Sequence, residues 1–224
     1  METILPYLIA ICISILCGLY GMYYSTQGIR KVYEFKIDRK IFVFLCIISG
    51  IVDTLSVMMY FKYITLPSQL SYFPFNFYRL VQHIFLCMLY SYWLSPMEKK
   101  YAYYNAIVAI PLWSFPKIVG LENFHAMDLM SGPISHFLLF CASVHFLGNL
   151  NNRTIPPIKP DPLYQIGSVN IIYFGMMTIT YLLMNYNPIY VKYISFLNII
   201  QDVYYIYALY FFTQKTNFEI HDWL

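Results

Sequence analysis

Several side chains in this sequence are polar or ionisable in the middle of apolar runs, and their types define the chemistry on offer. Arg79, Gln82 and His83 stand at i, i+3 and i+4, a spacing that puts all three on one face of a helix. Asp53 lies in an apolar run upstream, and His136 in another downstream. Ser195, Asn198, Asp202 and Tyr205 recur at i, i+3, i+7 and i+10, with Gln201 adjacent, so they form a single polar stripe. The Arg79 guanidinium suits an anionic or polar group, and an Arg among apolar residues requires a carboxylate partner. Asp53 and Asp202 are the candidates. His83, with an ordinary pKa near neutrality, can take up a proton. Gln82, His136, Asn198 and Tyr205 supply hydrogen-bonding groups around them.

The elements that must position these residues follow from composition. The 224 residues are 59% hydrophobic, 20% aromatic and 11% charged, whereas globular domains carry about 25% charge. That excludes an ordinary soluble enzyme and a disordered chain. A net charge of +3 with scattered Lys and Arg leaves no basic face for nucleic acid. The expected class is an all-α integral membrane protein, a single domain over residues 1–224. Seven windows approach the roughly 20 apolar residues that cross a bilayer: Thr3–Tyr24, Ile41–Tyr63, Pro74–Leu94, Tyr103–Gly120, Asp128–Leu150, Gln165–Tyr186 and Tyr190–Thr213. The fourth is short and carries Pro111 and Pro116, which predicts a kinked span.

Orientation follows from the basic residues. With the N-terminus outside and the C-terminus inside, ten Lys and Arg fall on the inner side. Only Lys62, Lys117 and Lys192 fall on the outer side, and Arg79 falls within a span. The first span lacks a basic start and a small-residue cleavage site, so it is expected to be retained. No connection exceeds about sixteen residues, too little for a soluble recognition or catalytic domain. The loop Ser25–Lys40 is basic, and Asn149–Tyr164 holds four prolines, which predicts an extended, stiff connection. The expected partners are the lipid bilayer, a small-molecule ligand and a cytoplasmic protein at these inner loops. The expected location is a plasma membrane, favouring a bacterial inner membrane.

Recognisable catalytic and cofactor patterns are missing. The last span has no central Lys for a retinal Schiff base, and its only candidate, Lys192, lies at the edge. The last two spans hold no His for a zinc hydrolase. His136 and His145 are nine residues apart and face opposite sides of one helix, so they do not share one site. His83 and His136 are a candidate haem pair from two helices, but the paired histidines on each ligand helix of four-helix membrane cytochromes are absent. The Gly132–Ser135 segment lacks the spacing of an intramembrane serine protease, and no aspartyl-protease motif occurs. The five cysteines fall inside spans without a C-x-x-C pair and are expected to pack as small apolar residues. Neither an enzyme nor a metal or cofactor site is expected.

An internal echo adds a constraint. The third and seventh spans align on Gln82 and Gln201, the second and sixth on Gly50 and Gly175, and the first and fifth on Pro6 and Pro133. This predicts a parallel repeat of three helices joined by a fourth, with a midplane site between the halves. The three-plus-one-plus-three layout resembles that of the SWEET sugar transporters and the KDEL receptor in topology and length. The Pro-Gln pair of that group is absent, so no residue roles carry over. The expected function is transporter- or permease-like binding of a small polar or anionic solute at Asp53, Arg79, His83 and Asp202. The alternatives are a seven-helix sensor or receptor that signals through a separate partner, and a structural accessory subunit of a membrane complex.

Overall fold

The computed structural model describes residues 37–60, 72–123, 127–153, 162–184, 186–187 and 191–214, with eight helical positions between 9 and 23. Among the described residues the chain is all-α, with six continuous helices in order: α1 (Ile37–Tyr60), α2 (Phe73–Trp93), α3 (Pro96–Ile118), α4 (Ser131–Arg153), α5 (Pro162–Met184) and α6 (Val191–Gln214). Among the described residues two stretches, Ser131–Leu150 and Leu163–Met184, are long and apolar enough to cross a membrane. Five of the six helices match their predicted windows to within four residues at each end.

The fourth window is the exception. Its helix, α3, starts seven residues earlier than expected, at Pro96, and runs through Pro111 and Pro116. The start signal is local. Pro96 occupies the first helical position, where a missing N–H costs nothing. Glu98 accepts hydrogen bonds from the Ser95 N–H at 3.2 Å and hydroxyl at 2.6 Å. The polar residues before Tyr103 therefore extend the helix instead of forming a loop. The Asn149–Tyr164 connection is shorter than expected for a similar reason, since 149–153 end α4 and 162–164 begin α5. Its segment 154–161 lies outside the described residues, as do most of Thr3–Tyr24 and of the Ser25–Lys40 loop.

The helices pack α1–α2–α3 and α4–α5–α6, and α4 also touches α2 and α3. The most extensive interface is α4 against α5. The apolar core joins Phe42, Leu45 and Cys46 of α1 to Leu86, Leu89 and Tyr90 of α2, Leu139 and Phe146 of α4, and Phe174 of α5. Tyr90 and Phe146 stack at 4.7 Å, and Phe42 meets Tyr205 of α6 edge-on at 4.9 Å. On α2 the buried positions Asn76, Arg79, Gln82, His83, Leu86 and Tyr90 follow helical spacing, polar at the start and apolar towards the end.

Beside this apolar core, polar Asn76, His83, Ser143 and Asn170 are fully buried, while large apolar Ile107, Phe115, Phe137 and Ile172 are exposed.

The turn between α3 and α4 sets up everything at that end of the bundle. α3 closes with the Leu121 N–H on the Pro116 carbonyl at 2.8 Å and the Gly120 N–H on the Lys117 carbonyl at 3.4 Å. This 6→1 and 5→2 pair is the Schellman arrangement, which needs a left-handed residue after the cap. Gly120 supplies it at φ 77°. The reversal returns Glu122 towards Lys117, 3.5 Å away. Replacing Gly120 by Ala places a Cβ in the left-handed region and should destabilise the fold by about 1–2 kcal/mol. Thermal unfolding of Gly120→Ala against wild type measures it, and an unchanged midpoint would count against this turn.

Candidate functional site

Four charged side chains converge where α2 begins, α3 ends and α4 begins. Arg79, in the second turn of α2, lies 3.4 Å from the Asp128 carboxylate, and Lys117, in the last turn of α3, lies 2.9 Å from it. Lys117 also reaches Glu122 at 3.5 Å. Arg79 is held from three further sides. It donates to Asn76 Oδ1 at 2.7 Å and to the Asp128 carbonyl at 3.3 Å. Its guanidinium sits 5.0 Å from the centre of the Tyr181 ring, a cation–π distance. Gly132 makes the approach to α4 possible, because a Cβ there would collide with Arg79 Nη1. Lys117 donates to the Trp113 carbonyl at 3.0 Å and lies over the Trp113 ring at 4.7 Å.

The two carboxylates differ in kind. Glu122 accepts the N–H groups of Met130 and Ser131 at 2.6 and 2.8 Å and the Ser131 hydroxyl at 2.7 Å. It thus satisfies amides left open at the start of α4 and places a negative charge at the positive end of that helix. Burial opposes its ionisation, but the Ser131 and Met130 donors and Lys117 outweigh that and hold its carboxyl below the ordinary range. Asp128 lacks the backbone donors that Glu122 has and is held instead by two side-chain cations, Lys117 at 2.9 Å and Arg79 at 3.4 Å. Burial pushes its carboxyl above the ordinary range, Arg79 and Lys117 pull against that, and Glu122 adds to the rise. A small cavity of about 10 Å³ adjoins the cluster, lined by Arg79, Trp113, Asp128, Ser131 and Ser135 among others. It has room for about one water.

Farther along α2 a second, uncharged system crosses the bundle. Gln82 donates to Gln201 at 3.4 Å, a long contact. Gln201 donates to Tyr205 OH at 3.1 Å, and Tyr205 donates to Asn170 Oδ1 at 2.9 Å. Asn170 donates to Tyr90 OH at 2.8 Å. Ser143 spends its hydroxyl proton on the Leu139 carbonyl at 2.8 Å, so Tyr90 donates to Ser143 at 2.8 Å. The chain is directional and ties α2, α4, α5 and α6 through Asn170, which also accepts from Gln201 at 3.1 Å.

His83 forms a third unit. Asn105 Nδ2 donates to the Leu138 carbonyl at 3.1 Å, which orients Asn105 Oδ1 towards His83 Nε2 at 3.0 Å. Nε2 therefore carries the proton, and Nδ1 accepts from the Ser135 hydroxyl at 2.7 Å. A serine hydroxyl facing a neutral imidazole is a nucleophile–base arrangement. The adjoining 10 Å³ cavity leaves no space for a substrate, so in this form the unit braces α2, α3 and α4.

The expected single cluster is thus divided. Gln82 and Tyr205 meet through Gln201. His136 stacks on Tyr181 at 5.0 Å, beside Arg79, and bonds its own helix at Gly132 O. Asn198 takes the Tyr173 hydroxyl at 2.9 Å. Asp202 is buried in α6, and Asp53 lies in α1 with its side chain outside the described residues. The carboxylate at Arg79 is Asp128, where the sequence pointed to Asp53 or Asp202, because the α3–α4 connection folds back over the helix ends. The Arg79 cluster accordingly sits at an end of the bundle and not half-way along it. Sequence inspection missed Lys117, Glu122 and Asp128 as site residues, since each reads as a loop or boundary charge. The available signal was that Lys117 and Asp128 flank one short connection. Compared with protein-family models, curated proteins and solved structures, the chain shows no match.

Two outcomes follow from these contacts. Because the folded-state pKa of Glu122 is lowered, its contribution is present above the unfolded value of about 4.3. It is lost as pH falls through the folded value. Glu122→Gln should remove that acid-side decline from a melting-temperature profile and cost about 0.5–2 kcal/mol as a lost helix cap. An unaltered acid limb in the variant would refute the assignment. Asn170→Leu strands polar atoms of Gln201, Tyr205 and Tyr90 and should cost at least about 1–3 kcal/mol, read by thermal unfolding. A neutral result would mean that water replaces the chain.

Proposed function

We propose that this is a multi-pass membrane protein of seven spans, N-out and C-in, which binds a small anionic solute at Arg79 and Lys117. Asp128 holds the anion position while the site is empty. The supporting observation is a pair of buried cations, 3.4 and 2.9 Å from one buried carboxylate. A buried ion pair is poor value for stability alone, since apolar replacements are commonly neutral or better. The anion must displace Asp128, which sits in the α3–α4 connection before α4 begins at Ser131.

The exposed large apolar side chains of the bundle and its two apolar stretches favour the membrane. The contact between Gln82 and Gln201 favours the three-plus-one-plus-three repeat, because the residues that align the two triplets face each other. The ionic end of the bundle lies on the outer side in this orientation, so the solute enters from outside. Binding of this kind serves a transporter, which we place first, or a sensor. A purely architectural role is the alternative, and the size of the cavity, about 10 Å³, favours it.

Vesicles containing wild-type protein should take up or retain at least one of acetate, lactate and phosphate above empty vesicles. Arg79→Ala should abolish that excess. Equal signals for wild type and Arg79→Ala across the panel would overturn the proposal. The architectural role predicts instead that Arg79→Ala unfolds at lower temperature, with no solute effect in either protein.

A further inference from the structure

We infer that an anion binding at Arg79 and Lys117 draws a proton onto Asp128, so that anion and proton enter the site together. The inference rests on the anion site proposed above and adds its coupling.

The charge balance of the pocket requires it. Asp128 is about 1% exposed and faces Arg79 of α2, Lys117 of α3 and Glu122 of the connection. Tyr181 of α5 lies within its electrostatic reach. With two cations and two carboxylates the cluster is neutral. A ligand carboxylate brings a third negative charge against the same two cations, in a site where unpaired charge is expensive. One proton restores neutrality.

Local bonding decides which group takes that proton. Glu122 holds three short donors that favour its ionised form. His83 already donates to Asn105 and accepts from Ser135. His136 donates Nδ1–H to the Gly132 carbonyl and stands beside the positive Arg79. Among the described residues the Asp128 carboxylate is held by Arg79 and Lys117, the same cations the ligand takes, so it is the group that loses its support. No bond other than O–H forms, and the proton comes from the aqueous phase with the anion. Because the position is held by a carboxylate, the ligand class that replaces it like for like is a small monocarboxylate.

The experiment is titration calorimetry of acetate into the full chain in lipid nanodiscs, in two buffers of different ionisation heat. Wild type should take up about one proton per acetate near neutral pH, with affinity falling about tenfold per unit rise in pH. Asp128→Asn should bind acetate with no proton uptake and no pH dependence. Asp128→Glu should retain the coupling, and it carries the test if Asp128→Asn does not fold. Acetate binding to wild type without proton uptake would overturn the inference and leave the anion site standing, as would full uptake in Asp128→Asn. Absence of acetate binding in all three proteins would overturn the monocarboxylate site itself, and the coupling with it.

Discussion

The pairing of Asp128 with both Arg79 and Lys117 is the contact on which this end of the molecule depends. Two buried cations 3.4 and 2.9 Å from one carboxylate would repel each other without it. Arg79 would be an uncompensated charge away from water, while Lys117 would keep only Glu122 at 3.5 Å. The surrounding geometry follows from keeping them there. Gly132 leaves space for the guanidinium, Tyr181 covers its face, and Asn76 takes one of its N–H groups. The Gly120 turn brings Glu122 back to the second cation, and Glu122 then closes the start of α4. Helix termination, helix initiation and charge compensation are therefore one arrangement.

Much of the fold was legible because an apolar helix announces itself by length and hydropathy. α2 and α6 fall within one residue of their predicted windows. α3 was misjudged at its start because Glu98, Lys99 and Lys100 read as loop charges, while Ser95, Pro96 and Glu98 together form a helix start. The site was legible in part. Arg79 stood out as a charge inside an apolar run. Its partner did not, since Asp128 lies 49 residues away at what hydropathy reads as a boundary. Lys117 was assigned to water by the same logic, yet its side chain is only 1% exposed. Counting charges in loops presumes that loops face solvent, and this short connection lies against the helix ends instead.

Asn170 illustrates a different limit. Its polarity in an apolar helix was visible, but its importance comes from three approaches at once: Tyr90 from α2, and Gln201 and Tyr205 from α6. No periodicity within α5 encodes that convergence. Gln82 and Gln201 were legible as a repeated residue, and they come into contact.

The two polar systems have opposite physical properties. The chain from Gln82 to Ser143 is made of neutral groups, each donating onward, and Ser143 ends it on a backbone carbonyl. Removing a link strands its neighbours, and adding a charge finds nothing to neutralise it, so this chain fixes geometry. The ionic cluster is made of charged groups, and the carboxylate that meets both cations is in a connection and not in a helix. Asp128 precedes Ser131, and its carbonyl accepts the Gly132 N–H at 3.1 Å and Arg79 Nη1 at 3.3 Å, which ties it to the start of α4. Asp128 lies on the connection and the two cations lie on α2 and α3, so on the anion-site reading proposed above one carboxylate would replace another without repacking the core formed by Phe42, Leu86, Tyr90 and Phe146.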